Sequence, residues 1–299
     1  MNKNPISAVH GQQKSQKKVS VKKRTSARKG RKRNRTPRTL PRWLVRALTL
    51  LVFLFFSAVF YWFFIRPYSY RWKPCNGDKE YGVCMPLGFE VHGIDISHYQ
   101  GKINWEELVR YQSPEYPLQF VFVKATEGGD HSDNNFQENF TLARKYGFIR
   151  GAYHYFNPGA PAAKQAQFFI NTVNLDSADL PPVLDVEKKG MHSKKSLVKA
   201  VKLWLDLVEA HYGVKPILYT SYKFKTSYLN DPIFKNYPYW IAHYYVDSVE
   251  YKGKWKFWQH TDVGSIPGVE ENVDLNIFNG TLDELKAMTI KKNISVKMQ

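Results

Sequence analysis

Cysteine is almost absent from these 299 residues: there are two, Cys75 and Cys84. No Cys/His spacing suited to a metal occurs, which excludes a metal centre built on those residues. Acidic residues are missing altogether from residues 1–46, which carry 16 Lys and Arg. The formal net charge of +18 therefore belongs to a tail, and the remaining chain is nearly neutral, with 28 basic and 26 acidic residues. That balance argues against nucleic acid as the main partner. The tail itself can bury too little apolar surface to offset its ordering entropy, and it reads as disordered. Long apolar runs are scarce too, with one exception.

The exception is residues 47–65, which are 19 residues without a charge. As a helix they span roughly 28 Å at about 1.5 Å per residue, close to the roughly 30 Å of a bilayer core. Trp43 on one side and Tyr61 and Trp62 on the other suit interfacial aromatic belts. The segment reads as a transmembrane signal anchor that contacts membrane lipid. The basic residues before it place the N-terminus in the cytoplasm and everything after Arg66 outside, in a periplasm or at the cell surface. No A-x-A-like cleavage site follows the run, so an uncleaved anchor is expected. The tail then acts as a topology determinant with weak attraction for anionic lipid. Residues 66–88 form a connector rich in Pro and Gly, and it holds both cysteines. On the exported side a disulfide between Cys75 and Cys84 is expected.

From residue 89 the pattern becomes a beat of short apolar strands and amphipathic helices. Strands are expected at 93–97, 120–126, 151–156, 183–187, 216–221, 239–243, 256–260 and 275–278. Helices are expected at 104–111, 134–146, 162–173 and 194–211, the last with Leu197, Val201, Trp204, Leu205 and Val208 on one stripe and Gly213 as stop signal. Alternation of this kind implies an α/β fold with a parallel sheet. Eight strands with the later helices short or missing suggest a TIM-like barrel with incomplete helical cover, residues 89–289, and a C-terminal tail, 290–299. In such barrels the chemistry sits at the carboxyl ends of the strands.

The chain is organised around Leu180-Pro181-Pro182-Val183-Leu184-Asp185-Val186-Glu187. Side chains alternate along a strand, so Asp185 and Glu187 share one face. Neighbouring carboxylates repel, which keeps one as an acid while the other ionises. Pairs of this kind cut glycosidic bonds. Taken alone, the pair reads sooner as a strand-end Asp that caps the next helix beside an exposed Glu. The other strand ends add Asp95, Lys124, His154, Tyr155, Trp240, His243, Gln259 and His260, and Asp274 opens the last strand. Carboxylates beside aromatic faces describe a sugar cleft. Singly, Asp95 reads as a cap, His154 as a core histidine and Trp240 as core.

Residues 91–280 resemble the glycoside hydrolase family 25 lysozymes, or muramidases. The resemblance rests on His92-Gly93-Ile94-Asp95-Ile96-Ser97, Phe122-Val123-Lys124-Ala125-Thr126-Glu127-Gly128, Gly151-Ala152-Tyr153-His154-Tyr155-Phe156 and Leu184-Asp185-Val186-Glu187. It continues through Tyr219-Thr220-Ser221, Tyr239-Trp240-Ile241-Ala242, Phe257-Trp258-Gln259 and Val273-Asp274-Leu275-Asn276, all in order. It implies a hydrolase of the β-1,4 bond between N-acetylmuramic acid and N-acetylglucosamine in peptidoglycan glycan strands. Glu187 would be the catalytic acid and Asp185 its partner, with Asp95 and Asp274 completing an acidic floor. Asp185 would orient the substrate's acetamido group in a retaining, substrate-assisted reaction, or be the nucleophile itself. Tyr153, His154, Tyr155, Tyr219, Trp240 and Gln259 would bind substrate. No metal or organic cofactor is implied, and nothing specifies an oligomer.

Two other readings compete. A chitinase-like barrel would need Asp at positions 180 and 183, where Leu180 and Val183 stand. A non-catalytic peptidoglycan-binding domain would be favoured by loss of Glu187 or Asp185, and both are present.

Overall fold

The computed structural model describes residues 40–66, 75, 77–250 and 253–291. The expectations for the tail up to residue 39, for most of the connector before the second cysteine and for residues 292–299 lie outside them. The chain divides into two units, Met1–Trp62 and Phe63–Gln299.

In the first unit, helix α1 (Arg42–Phe60) begins straight after Pro41, whose missing N–H costs nothing at a helix start. It runs on through a π-helical turn, Tyr61–Ile65, and buries none of its residues. Arg42–Ile65 has a mean hydropathy of 2.4 and is long and apolar enough to cross a membrane. The helix starts five residues before the expected span, because two arginines sit within its first turn and a half.

The first strands of the second unit form a hairpin, β1 (Lys79–Glu80) and β2 (Val83–Cys84). Tyr81 and Gly82 at its tip both have positive φ, 52° and 77°, as a two-residue hairpin turn requires. Cys75 and Cys84 are joined by a disulfide, with Cα atoms 5.5 Å apart. There follow β3 (Val91–Ile96), α2 (Trp105–Tyr111), β4 (Leu118–Glu127), β5 (His131–Ser132), α3 (Phe136–Lys145) and β6 (Ile149–Tyr155). Next come α4 (Ala162–Thr172), β7 (Val183–Asp185), α5 (Lys194–Tyr212), β8 (Ile217–Ser221) and α6 (Tyr222–Tyr228). The unit ends with β9 (Tyr239–Ala242), β10 (Trp255–Gly264), β11 (Val273–Phe278) and α7 (Leu282–Met288).

Eight of these strands close a barrel in the order β3-β11-β10-β9-β8-β7-β6-β4, with β4 pairing back to β3. Seven run parallel, but β11 is antiparallel to both neighbours, β10 and β3. The expected all-parallel sheet is thus a mixed one. Period-two alternation sorts the side chains. Val91, Phe120, Phe122, Val183, Ile217, Trp240, Phe257 and Phe278 fill the barrel. Ile94, Ile96, Val121, Val123, Leu184 and Leu218 face outward and pack with helix residues such as Leu197, Val201 and Trp204 of α5. Each fully buried side chain of this size is worth roughly 1.5–3 kcal/mol. The barrel is narrow, and two glycines make room for its phenylalanines. A Cβ on Gly93 would stand 2.6 Å from the Phe120 ring, and one on Gly151 would stand 2.6 Å from the Phe122 ring.

Helices lie in the connections from β3 as far as β9. Among the described residues none lies between β9 and β10 or between β10 and β11. There the hairpin takes over. Tyr81 is buried, accepts a hydrogen bond from the Ser265 N–H through its backbone oxygen at 2.8 Å, and donates its hydroxyl to Tyr116 O at 2.9 Å. Phe89 adds a tilted ring contact to Trp255 and an edge contact to Trp258.

Candidate active site

The inward-facing positions change from apolar to polar toward the carboxyl ends of the strands. One layer above Phe122 and Trp240, the barrel presents Asp95, Lys124, Tyr153, Asp185, Tyr219 and Gln259. These residues line a cleft of about 190 Å³ together with Ser97, Tyr99, Tyr155, Glu187, Trp240, Tyr244 and Asp274. A larger cavity of about 410 Å³ lies between α4 and the end of α5, but it holds no carboxylate and has none of this chemistry.

Asp274 reaches this rim because β11 runs backward. Its first residues then lie where the parallel strands end, and Asp274 pairs directly with Asp95 across the ladder. Asp185 is the last residue of β7, and the ladder continues one residue further through Val186 N–H to Tyr219 O at 3.0 Å. That extension carries Glu187 to the mouth of the cleft, where its side chain is exposed.

Asp95 is buried, and its Oδ2 accepts hydrogen bonds from Gln259 Nε2 at 2.8 Å and Asn276 Nδ2 at 2.7 Å. Burial outweighs those bonds and pushes its carboxyl up to about 7. Asp274 is pushed up to about 9, by burial first and then by the charge of Asp95. Asp185 is raised well above the carboxylate range by burial, then by Glu187 and Asp95, and its buried Oδ1 has no hydrogen-bond partner. Glu187 is raised less far: burial against the cleft walls lifts it, and the Lys188 ammonium, the Tyr219 hydroxyl and the Lys124 ammonium oppose. Four carboxyls whose pKa values are all raised retain protons that isolated carboxyls would lose near neutral pH, which is what general acid chemistry needs.

Lys124 is buried and pairs with Glu127 at 2.7 Å. Its Nζ stands 5.1 Å from the centre of the Tyr155 ring, and Lys188 Nζ stands 5.4 Å from the same ring. Trp240 is floor more than platform: it is only 2 % exposed, stacks on Phe122 at 4.5 Å and meets Tyr219 edge-on at 4.5 Å. Among the described residues no group of three or more His, Cys, Asp and Glu side chains is arranged to hold a metal.

Residues 94–269 match the sequence model of the glycosyl hydrolases family 25. The chain belongs to that family. It is 33% identical over 214 residues to lysozyme M1 of Streptomyces globisporus, covering 66% of this chain and 71% of that one. An uncharacterized protein of Escherichia coli K12, YegX, is 42% identical over 236 residues, 79% of this chain and 85% of its own. A family 25 glycosyl hydrolase from Bacillus anthracis superposes with a TM-score of 0.61 at 32% identity, covering 68% of this chain and 95% of that one. A bacterial lysozyme from Streptomyces coelicolor gives 0.60 at 30% identity, with coverage of 67% and 97%. The protein is a glycoside hydrolase of the lysozyme type.

Of the residues singled out from the sequence, the cleft gathers Asp95, Asp185, Glu187, Asp274, Tyr153, Tyr155, Tyr219, Trp240 and Gln259. His154 is the correction. Between inward-facing Tyr153 and Tyr155 it points outward, fully buried under the helices. Its Nδ1 lies 2.7 Å from Thr126 Oγ1, its Nε2 lies 3.1 Å from Gln165 Oε1, and its ring stacks on Trp204. Burial lowers it to about 4, so it is a neutral core histidine and does not reach substrate. Sequence reasoning missed Tyr244, which follows β9 in a loop without periodicity, and gave no role to Asn276 or Lys124. Asn276 was legible: it stands two residues after Asp274 and so on the same face.

Proposed function

We propose that this enzyme hydrolyses the β-1,4 bond between N-acetylmuramic acid and N-acetylglucosamine in peptidoglycan, with Glu187 as proton donor. The observation that carries the reading is the convergence of Asp95, Asp185, Glu187 and Asp274 in one tyrosine-walled cleft at the carboxyl rim. The named relatives support it: a lysozyme, and an N,O-diacetylmuramidase of Chalaropsis sp that is 31% identical.

In this reading Glu187 delivers its proton to the glycosidic oxygen as the bond breaks. It stands at the mouth, where a glycan strand can reach it, and its raised pKa keeps the proton available. Asp185 sits one layer below, and its unpartnered Oδ1 is free to accept from the substrate's acetamido N–H. Its charge then stabilises the positive charge that develops on the acetamido group, or its oxygen attacks the sugar directly. Carboxyls packed this closely titrate as one cluster, so ionising Asp185 raises Glu187 and holds the proton on the acid. Asp95 and Asp274 add to that field. Helix α1 anchors the enzyme, with the N-terminus in the cytoplasm and the barrel outside.

The test is digestion of purified peptidoglycan by the full chain in detergent, with the new reducing ends identified by mass spectrometry. N-acetylmuramic acid at the new end is expected. N-acetylglucosamine there, or no cleavage at all, would reject the reading.

A further inference from the structure

Strand β3 ends at Ile96, and the residues after it are held more tightly than a surface loop requires. Ser97 and Gln100 close a capping box around a single 3₁₀ turn, His98–Gln100. Ser97 Oγ accepts from the Tyr99 N–H at 3.2 Å, and Gln100 Oε1 accepts from the Ser97 N–H at 2.8 Å. Gln100 Nε2 donates to Asn272 O at 3.0 Å, which ties the turn to the segment just before β11. From the other side, Asp133 Oδ2 accepts from the His98 N–H at 2.9 Å and lies 2.7 Å from His98 Nδ1. Asp133 is itself buried, and its own N–H donates to Ala125 O of β4 at 2.9 Å. Asn135 Nδ2 closes the far end by donating to Gly101 O at 3.1 Å.

None of these bonds uses the side chain at the middle of the turn. Tyr99 is 73 % exposed, and no aromatic side chain among the described residues is more so. It lines the same cleft as the four carboxyls. Its ring centre lies 4.1 Å from that of His98, with the planes inclined at 35°. One face is thus backed by an imidazole that Asp133 fixes, while the rest of the ring meets water. A side chain placed in this way has given up rotamer freedom before any ligand arrives, which lowers the cost of binding one. Trp240 cannot serve in its stead, because it is buried beneath the carboxyls against Phe122 and Tyr219 and offers no free face.

We infer that Tyr99 is a binding residue for a sugar ring of the glycan strand beyond the two joined at the bond that is cut, and that His98 positions it. The inference rests on the reading of peptidoglycan as substrate. The C–H bonds on the face of a pyranose are weakly positive and pack on the negative face of an aromatic ring. The distance follows from the strand order. Tyr99 follows β3 and Glu187 follows β7, three strands apart by way of β4 and β6. That is roughly 14 Å round the wall at about 4.8 Å between strands, so Tyr99 stands across the mouth from the acid.

The test uses the full chain in detergent and soluble glycan strands of graded length prepared from purified peptidoglycan. Tyr99→Ala should raise KM on long strands about three- to tenfold, the worth of one aromatic contact. The loss should shrink as the strand is shortened toward the smallest fragment still cut. Tyr99→Trp keeps an aromatic face and should restore KM. His98→Asn keeps a donor for Asp133 but removes the ring behind Tyr99, and it should raise KM with the same length dependence by a smaller factor. In a Tyr99→Ala background it should add nothing, whereas a general loosening of the turn would be felt in both backgrounds. The inference is overturned by an unmoved KM in Tyr99→Ala, by a loss independent of strand length, or by a Tyr99→Trp that restores nothing. The part given to His98 is overturned by an unmoved KM in His98→Asn, or by a loss that persists undiminished in the Tyr99→Ala background. In each of these cases the wild-type enzyme still cuts the strands. A wild type that cuts none of them would instead reject the reading of the substrate.

Discussion

Asp95 lets the cost of the cleft be measured. Its carboxyl lies 6 % exposed at the barrel's inner wall, and its pKa is pushed from 3.8 to about 7. A group raised on folding contributes stability that is whole below its unfolded pKa and is lost as pH rises through its folded one. A rise of about three units corresponds to roughly 4 kcal/mol in total, of which roughly 2–3 kcal/mol falls between pH 5 and 8. Asp95→Asn keeps the shape and an oxygen to accept from Gln259 and Asn276, and it cannot ionise. Its stability should therefore exceed that of the wild type at pH 8, and the gap should shrink toward pH 5. Buried His92, His154 and His260, all with lowered pKa, destabilise both proteins below about pH 6.5 and cancel in the difference. The assay is urea unfolding of both proteins at several pH values, compared as differences. The gap belongs to Asp95 together with Asp274, because the two titrate as a pair. Turnover should fall in the same variant, since the lost charge faces the reaction. Parallel stability curves from pH 5 to 8, or a less stable variant at pH 8, would refute the reasoning.

Glu187→Gln should lower turnover on peptidoglycan by about 10² to 10⁴-fold, the usual worth of general acid catalysis, with glycan binding retained in a pull-down assay. His154→Ala should cost about 2–4 kcal/mol in thermal unfolding by leaving a cavity against Trp204, and an altered KM would argue against its place in the core. Cys75 and Cys84 should stay unmodified by alkylating agent until reduced, as read by mass mapping, and removing the pair should cost about 3 kcal/mol or less for so short a loop. Reporter fusions should be active after residue 299 only if they work outside the membrane, and at residue 40 only if they work inside; the reverse pattern would overturn the topology.

How far the sequence disclosed this depended on what each feature needs. Strands such as β4 and β7 were legible because barrel filling on one face and helix packing on the other make successive residues apolar, and such a run survives in one dimension. Helix α5 was legible from its stripe and from Gly213, which takes φ of 70° to end it. His154 was misassigned because β6 carries aromatic and polar residues on both faces, and only the packing of Trp204 tells which face is buried. The hairpin was hidden because Tyr81 adopts positive φ where Asn or Gly is the usual signal. Its return is tertiary: the buried Tyr81 packs beside β10, where among the described residues no helix follows the strand. Tyr244 had no pattern to reveal it.

Strand direction is the feature that local pattern could not carry, and the site depends on it. A parallel β11 would bring Phe278 to the rim and bury Asp274 at the far end of the barrel, where no opposite charge or water would offset its ionisation. Reversed, the same six residues deliver Asp274 beside Asp95 and set Asn276 one layer below, between the Trp240 indole and the Asp95 carboxyl. The turn that allows the reversal leaves no room for a crossover helix between β10 and β11, so the outer wall there is open and the disulfide-bonded hairpin packs against it. The antiparallel strand, the missing helix and the added hairpin are therefore one structural event. Its chemical consequence is a fourth carboxyl in the cleft and an Asn276 amide that the Trp240 indole N–H orients to donate to Asp95.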